Sequence, residues 1–169
     1  MIDSATDQVR ILCREDKMLE TGQKAPGFSL TADDGREVSL SDYRGQRVVL
    51  YFYPKAGTSG CTKQACAVRD VYNRIEAENA VVIGISPDPP EKLVKFREKN
   101  DLPFVLLSDP DHAVAEAYGA WGEKKAFGKT YEGIIRSHFA IDEEGRIADF
   151  KVNVRPEKTA DLALKVIDL

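Results

Sequence analysis

Two cysteines five positions apart, Cys61 and Cys66, are the side chains of this sequence best suited to redox chemistry. Cys61 stands where a loop at residues 54–60 gives way to a predicted helix, directly after a predicted strand. A helix N-terminus has unpaired N–H groups and about half a positive charge. Both favour a thiolate over a thiol, so the position predicts a nucleophile at neutral pH. The alternative is a small buried apolar residue, the commonest role of a free cysteine.

The spacing of Cys66 from Cys61 restricts what the pair can form. On an ideal helix, residues at this spacing are about 7.5 Å apart along the axis and about 140° apart around it, so their Cα atoms are about 8.6 Å apart. A disulfide needs less than about 7 Å, so an intact helix excludes a static bridge. Zinc would need two further Cys or His ligands at short spacing, and the Cys-x-x-Cys redox motif is not present. Cys66 is therefore either a thiol that pairs after local unwinding or a core cysteine.

The composition of the chain excludes several classes of protein. The chain has 169 residues, which fits one domain, and Lys plus Arg total 24 against 28 Asp plus Glu. The net charge of −4 excludes the basic footprint of a nucleic-acid-binding protein. No apolar run approaches the roughly 20 residues that span a bilayer, and three cysteines are too few for a disulfide-stabilised secreted scaffold. The first residues do not have the pattern of a signal peptide, so we expect a cytoplasmic protein.

Residues 1–20 are polar and mixed in charge, and we interpret them as an N-terminal extension to a domain of residues 21–169. Cys13 falls in this extension. We expect it to be incidental to the chemistry, although an exposed thiol there could form intermolecular disulfides.

Two apolar runs, at residues 48–53 and 81–86, are typical of strands buried on both faces at the centre of a sheet. A helix predicted at 61–78 lies between them, so the two strands should be parallel neighbours. The other predicted elements are strands at 27–32, 37–40 and 104–107, a helix at 91–100, a helix opened by Asp109 and Pro110, a loop at 119–133, a hairpin of strands 134–141 and 147–152, and a last helix from Pro156 with Ala160, Ala163, Leu164 and Ile167 on one face.

This order predicts an α/β fold, with a mixed central sheet flanked by helices and an N-terminal β-hairpin. It is consistent with a thioredoxin-like fold, although periodicity alone leaves other three-layer folds open. Open α/β sheets bind ligands at the carboxyl ends of their parallel strands, which is where the loop before Cys61 begins.

Three motifs resemble one known family. Residues 54–61, PKAGTSGC, match the P-x-x-x-T-x-x-C signature of the peroxiredoxins. The strand YFYP before it and the Cys-x4-Cys spacing after it resemble the bacterioferritin-comigratory (PrxQ) subfamily. Residues 133–142, GIIRSHFAID, resemble that subfamily's later segment, in which an Arg on a strand faces the cysteine. The resemblance covers about residues 21–169 and implies a thioredoxin-like fold.

Two positions depart from the subfamily pattern. Ser59 stands where Pro is frequent, which could loosen the loop before Cys61 but leaves the signature residues intact. Ser137 and His138 stand where Thr-Thr or Thr-Ser is usual. His138 alternates with Arg136, so both side chains can face one side of the expected strand. We favour a packed or solvated histidine over a catalytic one, and His112 has no catalytic neighbours in the sequence.

The resemblance implies a thiol peroxidase that reduces hydrogen peroxide and organic hydroperoxides. Cys61 would be oxidised to sulfenic acid, and Cys66 would condense with it to form an intramolecular disulfide. A thioredoxin-like dithiol would then reduce the disulfide, and no metal, haem or flavin is required. The alternative is a redox sensor or binding module with a Cys61–Cys66 switch; the spacing argues against a disulfide reductase. We expect a monomer, because no long apolar surface segment is evident.

Three further residues suit the chemistry of peroxide reduction. Arg136, permanently charged with five fixed donors, can stabilise the thiolate and polarise the O–O bond. The Thr58 hydroxyl can accept from the peroxide and donate to sulfur, and Pro54 can shield the pocket from water. Each residue alone has a simpler structural explanation: Arg136 as a surface charge, Thr58 as a loop cap and Pro54 as a strand terminator. The occurrence of all three together favours the catalytic roles.

Overall fold

A seven-stranded mixed sheet organises the structure, a computed structural model that describes residues 19–169. The predictions about the extension, including Cys13, therefore fall almost wholly outside the described residues. The strands are β1 (Ser29–Ala32), β2 (Glu37–Ser39), β3 (Arg47–Phe52), β4 (Ala80–Ser86), β5 (Val105–Ser108), β8 (Ser137–Ile141) and β9 (Ile147–Val152), in the order β2-β1-β5-β4-β3-β8-β9; β6 (Trp121–Ala126) and β7 (Lys129–Ile134) pair separately.

The helices lie between and after these strands. They are α1 (Ser59–Ala77), α2 (Pro90–Lys99), α3 (Ala113–Ala117) and α4 (Thr159–Leu164), with short 3-10 turns at Leu40–Tyr43, Pro156–Lys158 and Lys165–Asp168. In the described part of the chain, no helix combines the length and apolarity needed to cross a bilayer.

Strands β3 and β4 form the buried centre of the sheet. They pair in parallel, as the βαβ pattern predicted, and β4 also pairs in parallel with β5. Successive residues of β3 enter two different cores, because strand side chains alternate between faces. Val49 and Tyr51 pack under α1, α2 and α4, whereas Val48 and Leu50 pack on the opposite face with the N-terminal hairpin and α3.

The segment predicted as a loop at 119–133 is instead the hairpin β6–β7, so that prediction was wrong. The turn residues Phe127 and Gly128 both have positive φ, 53° and 74°, which is the conformation of a tight hairpin turn that twists with its strands. The segment is polar and rich in lysine, so no alternation of apolar residues marked the strands.

The strand predicted at 134–141 is interrupted. β7 ends at Ile134 and β8 begins at Ser137, so Arg136 lies in the break and not within a strand. The interruption follows from a change of partner: β7 pairs with β6, whereas β8 pairs with β3 and β9.

The helix predicted at Asp109 and Pro110 begins later, at Ala113, which corrects the prediction that Pro110 occupies its first position. The Asp109 carboxylate accepts hydrogen bonds from the backbone N–H groups of Val114 and Ala115, so it caps the helix from a distance. The left-handed φ of His112, 49°, separates the turn that contains Pro110 from the helix. In the C-terminal helical segment Ala160 and Ala163 are buried, and Leu164 and Ile167 are partly buried against the same core.

Candidate active site

Cys61 is the third residue of α1 and is 1% exposed. The helix begins at Ser59, two residues before the predicted start, with Thr58 as its N-cap. The first bond of the helix joins the Thr62 N–H to the Thr58 carbonyl, so the N–H groups of the preceding residues have no partner within the helix. Cys61 therefore lies in the first turn, where the helix dipole favours negative charge.

The Arg136 guanidinium lies next to this thiol. Its Nη1 donates to Cys61 Sγ at 3.4 Å, across the gap between the first turn of α1 and the break between β7 and β8. Arg136 is half-buried, so the interaction between the two groups is less screened than at an open surface. The positive charge of Arg136 can stabilise a thiolate at Cys61.

Gln64, which no sequence motif singled out, completes this contact. Gln64 Oε1 accepts from Arg136 Nη1, and Gln64 Nε2 donates to the Thr159 hydroxyl at 2.8 Å. Gln64 is fully buried on the inward face of α1, one turn after Cys61. The sequence did contain a signal for this role, because Gln64 is a polar residue on the apolar face of the helix, where a buried side chain needs a hydrogen-bond partner.

The structure places Thr58 and Pro54 around the same loop, but the bonding of Thr58 differs from the prediction. The Thr58 hydroxyl donates its single proton to the Lys55 carbonyl at 2.8 Å, so it does not donate to sulfur. Its oxygen lone pairs remain able to accept a hydrogen bond. Ser59, where the subfamily pattern often has Pro, is the first residue of α1, a position that suits Pro.

Pro54 follows β3 and lines a cavity of about 530 Å³ beside Arg136. The cavity combines apolar and charged walls. Burial lowers the pKa of Lys124, one of its lining residues, and the charge of Arg136 lowers it further. The complete lining is Pro54, Glu123, Lys124, Lys125, Ile135, Arg136, Val152, Asn153 and Val154.

Cys66 lies one and a half turns along the same unbroken helix and is half-buried. Its Sγ contacts Asn100 Oδ1 at 3.7 Å, at the end of α2. The Arg69 guanidinium donates to the Asn100 carbonyl at 2.7 Å, which ties the same region of α1 to α2. Both Cys61 and Cys66 are free thiols in this structure, as the helical spacing required.

Neither histidine joins the site. His138 is fully buried on β8, and its two ring nitrogens have no hydrogen-bond partner among residues 19–169. Burial lowers the pKa of His138 to about 4, so it is neutral at physiological pH. His112 stacks on Trp121, with ring centroids 3.7 Å apart. Within residues 19–169, no cluster of three or more His, Cys, Asp or Glu side chains is arranged to bind a metal ion.

Comparison with known proteins gives the same family by sequence and by structure. A model of the AhpC/TSA family matches residues 21–150. Peroxiredoxin Bcp of Escherichia coli (strain K12) is 52% identical over 139 residues, which are 80% of this chain and 89% of that protein. Peroxiredoxin Bcp of Bacillus subtilis (strain 168) is 54% identical over 129 residues, 76% of this chain and 82% of that protein.

Two solved structures confirm the thioredoxin-like peroxiredoxin fold. Peroxidoxin BcpB from Mycobacterium tuberculosis superposes with a TM-score of 0.78 and 34% identity, covering 89% of this chain and 97% of that one. The bacterioferritin comigratory protein of Xanthomonas campestris superposes with a TM-score of 0.81 and 27% identity, covering 88% and 98%. The chain therefore belongs to the AhpC/TSA family and, within it, to the Bcp/PrxQ peroxiredoxins, which are thiol peroxidases.

Proposed function

We propose that Cys61 is the peroxidatic nucleophile of this thiol peroxidase. The observation that carries the proposal is the 3.4 Å contact of Arg136 Nη1 with Cys61 Sγ in the first turn of α1. The thiolate attacks one peroxide oxygen in line with the O–O bond, that bond breaks, and the other oxygen leaves as water or an alcohol after taking up a proton. Cys61 becomes a sulfenic acid.

Arg136 serves this step twice. Before the reaction it stabilises the thiolate, and as the O–O bond breaks its remaining N–H donors stabilise the charge that develops on the leaving oxygen. Gln64 holds the guanidinium in place, because its amide oxygen accepts from the Nη1 that contacts sulfur. The lone pairs of the Thr58 hydroxyl accept from a protonated peroxide oxygen, and Pro54, which has no N–H, shields the pocket from water.

Cys66 resolves the sulfenic acid. Its thiolate attacks Cys61 Sγ, the S–O bond breaks, and water leaves once the oxygen takes up a proton. The two sulfurs meet only after the first turns of α1 unwind. The contact with Asn100 and the Arg69 bond to the Asn100 carbonyl hold α1 at and beyond Cys66, so the unwinding should concentrate on the segment before it. A helix terminus frays at low cost.

The substrates, the reductant and the setting complete the proposal. Hydrogen peroxide and organic hydroperoxides are the oxidants; the Xanthomonas campestris relative is described with alkyl peroxide reduction activity. A thioredoxin-like dithiol protein reduces the Cys61–Cys66 disulfide. The enzyme acts as a cytoplasmic monomer, with residues 21–169 as the catalytic domain and residues 1–20 as an appendage.

A coupled assay tests this function. The purified chain is mixed with hydrogen peroxide, thioredoxin, thioredoxin reductase and NADPH, and NADPH oxidation is followed over many equivalents of peroxide. We expect continuous turnover that depends on Cys61 and Cys66. Oxidation that stops after one equivalent per chain would contradict the proposal and would support the less favoured redox-sensor alternative.

A further inference from the structure

A second cavity adjoins the active-site loop on the side of α2. It has a volume of about 290 Å³ and is lined by Ala56, Gly57, Lys92, Lys95, Phe96 and Lys99. It shares no lining residue with the cavity beside Arg136. Ala56 and Gly57 belong to the loop that leads to Cys61, so one wall of this cavity is part of the active-site loop.

Three lysines give the cavity its charge. Lys92, Lys95 and Lys99 follow one another at helical spacing, so they share one face of α2. All three are exposed, and none forms an ion pair with any residue from 19 to 169. Like charges at this spacing destabilise a helix. On a chain of net charge −4, this basic face is a local exception.

The base of the cavity is apolar and its size suits side chains. Phe96 is buried beneath the lysines, and Ala56 faces it from the loop. Small-molecule sites usually occupy about 300–1,000 Å³, so this cavity is at the lower limit for a separate ligand. An apolar centre with a polar rim is the usual composition of a protein interface.

The same surface adjoins a segment linked to each of the two cysteines. The loop at Ala56 and Gly57 leads to Cys61, while Asn100, the residue directly after Lys99, contacts Cys66 Sγ at 3.7 Å. A protein seated on the lysine face of α2 would therefore lie against the loop that precedes Cys61 and beside the residue that contacts Cys66 Sγ.

We propose that this basic cavity is the docking site of the protein that reduces the Cys61–Cys66 disulfide. This inference rests on the proposed function. The partner is a dithiol protein that presents an apolar side chain bordered by carboxylates beside its reactive cysteine, because such a surface complements Phe96 and the three lysines. Complementary charge accelerates encounter and selects the partner more than it adds affinity.

The reduction proceeds by two thiol–disulfide exchanges. The partner's thiolate attacks Cys66 Sγ, the S–S bond of the enzyme breaks, and Cys61 leaves as a thiolate. The partner's second thiol then attacks the mixed disulfide and releases Cys66 as a thiol. Two electrons pass to the enzyme, and the partner departs as a disulfide.

Charge reversal tests the docking site. The triple variant Lys92→Glu, Lys95→Glu, Lys99→Glu is compared with Lys24→Glu, Lys151→Glu, Lys165→Glu, which changes the net charge equally at exposed lysines outside this cavity. The reductants are an acidic thioredoxin, with its reductase and NADPH, and dithiothreitol, which is uncharged. We expect the first variant to raise the KM for thioredoxin at least ten-fold and to leave dithiothreitol-supported turnover unchanged, and the second to change the KM less than two-fold.

Salt provides an independent readout. Raising sodium chloride from about 20 to about 200 mM should increase the KM of the parent for thioredoxin several-fold. It should lower the KM of the triple Glu variant, because salt screens attraction in the parent and repulsion in the variant. Equal salt dependence in the two proteins would overturn the proposal.

The remaining outcomes are also decisive. An unchanged KM for thioredoxin in the triple variant overturns the docking site, as does an increased KM for peroxide under dithiothreitol, which would make the cavity a peroxide site. If the Glu variant does not fold, the Lys→Gln triple variant gives the same readout. Absence of dithiothreitol-supported turnover in the parent would instead contradict the proposed function.

Discussion

The Gln64 side-chain amide donates a 2.8 Å hydrogen bond to the Thr159 hydroxyl, and both groups are buried. Because the guanidinium can only donate, the amide oxygen faces Arg136, and the NH2 group is held by the Thr159 hydroxyl, which accepts from it. The first residue of α4 thus orients, through α1, the guanidinium that contacts Cys61 Sγ.

Thr159→Val should slow the reaction with peroxide about five-fold, since it keeps the side-chain shape but removes a bond worth about 1 kcal/mol. The rate constant of peroxide reduction is measured by stopped flow, with Thr159→Ser as the control that retains the hydroxyl. Thioredoxin-dependent steps should not change. Equal losses in the Val and Ser variants would show that packing, and not the hydrogen bond, is responsible.

Arg136→Lys should reduce the rate constant for peroxide at least about ten-fold, equivalent to about 1.4 kcal/mol of transition-state stabilisation. Lysine keeps the charge but loses the fork of donors that lets one side chain contact both sulfur and peroxide. If the lysine variant reacts as fast as the parent, Arg136 acts only as an ion-pairing residue and its fork of donors has no role.

Cys66→Ser should leave the first reaction intact and abolish thioredoxin-linked turnover. After one equivalent of peroxide, intact mass should show a loss of about 2 Da in the parent, for a disulfide, and a gain of about 16 Da in the variant, for a sulfenic acid. With excess peroxide the variant should progress to sulfinic acid. A parent in which Cys61 is bridged to Cys13 would transfer the resolving role to the N-terminal residues.

His138 should make the protein less stable in acid. Its pKa is lowered from 6.5 to about 4 by burial, so the unfolded chain takes up the proton first as the pH falls. The contribution of His138 to the free energy of unfolding is constant above about pH 7, declines as the pH falls through 6.5, and levels off below about pH 4. The total loss from this group is roughly 3 kcal/mol.

His138→Leu tests that dependence through urea unfolding at pH 7 and at pH 4.5. The free energy of unfolding should fall less between pH 7 and pH 4.5 in the variant than in the parent, because the variant lacks the contribution of His138. All other titrating groups are common to both proteins. The same difference in both proteins would mean that His138 does not titrate in this range.

The central elements of the fold could be predicted because their residues have one dominant physical role. The runs in β3 and β4 are apolar throughout, and they pair in parallel as predicted. The hairpin β6–β7 could not be predicted, because its polar residues are paired through the backbone and its turn is a Phe-Gly and not a familiar turn pair. The start of α3 was misplaced because the Asp109 carboxylate caps it from several residues away.

The candidate site was predictable only in part, because its contacts join residues that are distant in sequence. Cys61 and Arg136 are far apart in sequence, and the family resemblance, not periodicity, paired them; the structure brings them to 3.4 Å. The bonds from Gln64 to Arg136 and Thr159 depend on where β8 and α4 pack, which no local pattern encodes. Nothing in the sequence indicated that the Thr58 hydroxyl would donate to the Lys55 carbonyl instead of sulfur, because that carbonyl comes within hydrogen-bond distance only in the folded loop.

The reaction of Cys61→Ser with one equivalent of hydrogen peroxide tests the central claim most directly. A serine hydroxyl is not appreciably ionised at neutral pH, so the variant should keep its mass and consume no peroxide above background, although Cys13 and Cys66 remain. The parent should consume the peroxide and lose about 2 Da. Peroxide consumption by the Ser variant at the rate of the parent would contradict the assignment of Cys61 as the nucleophile.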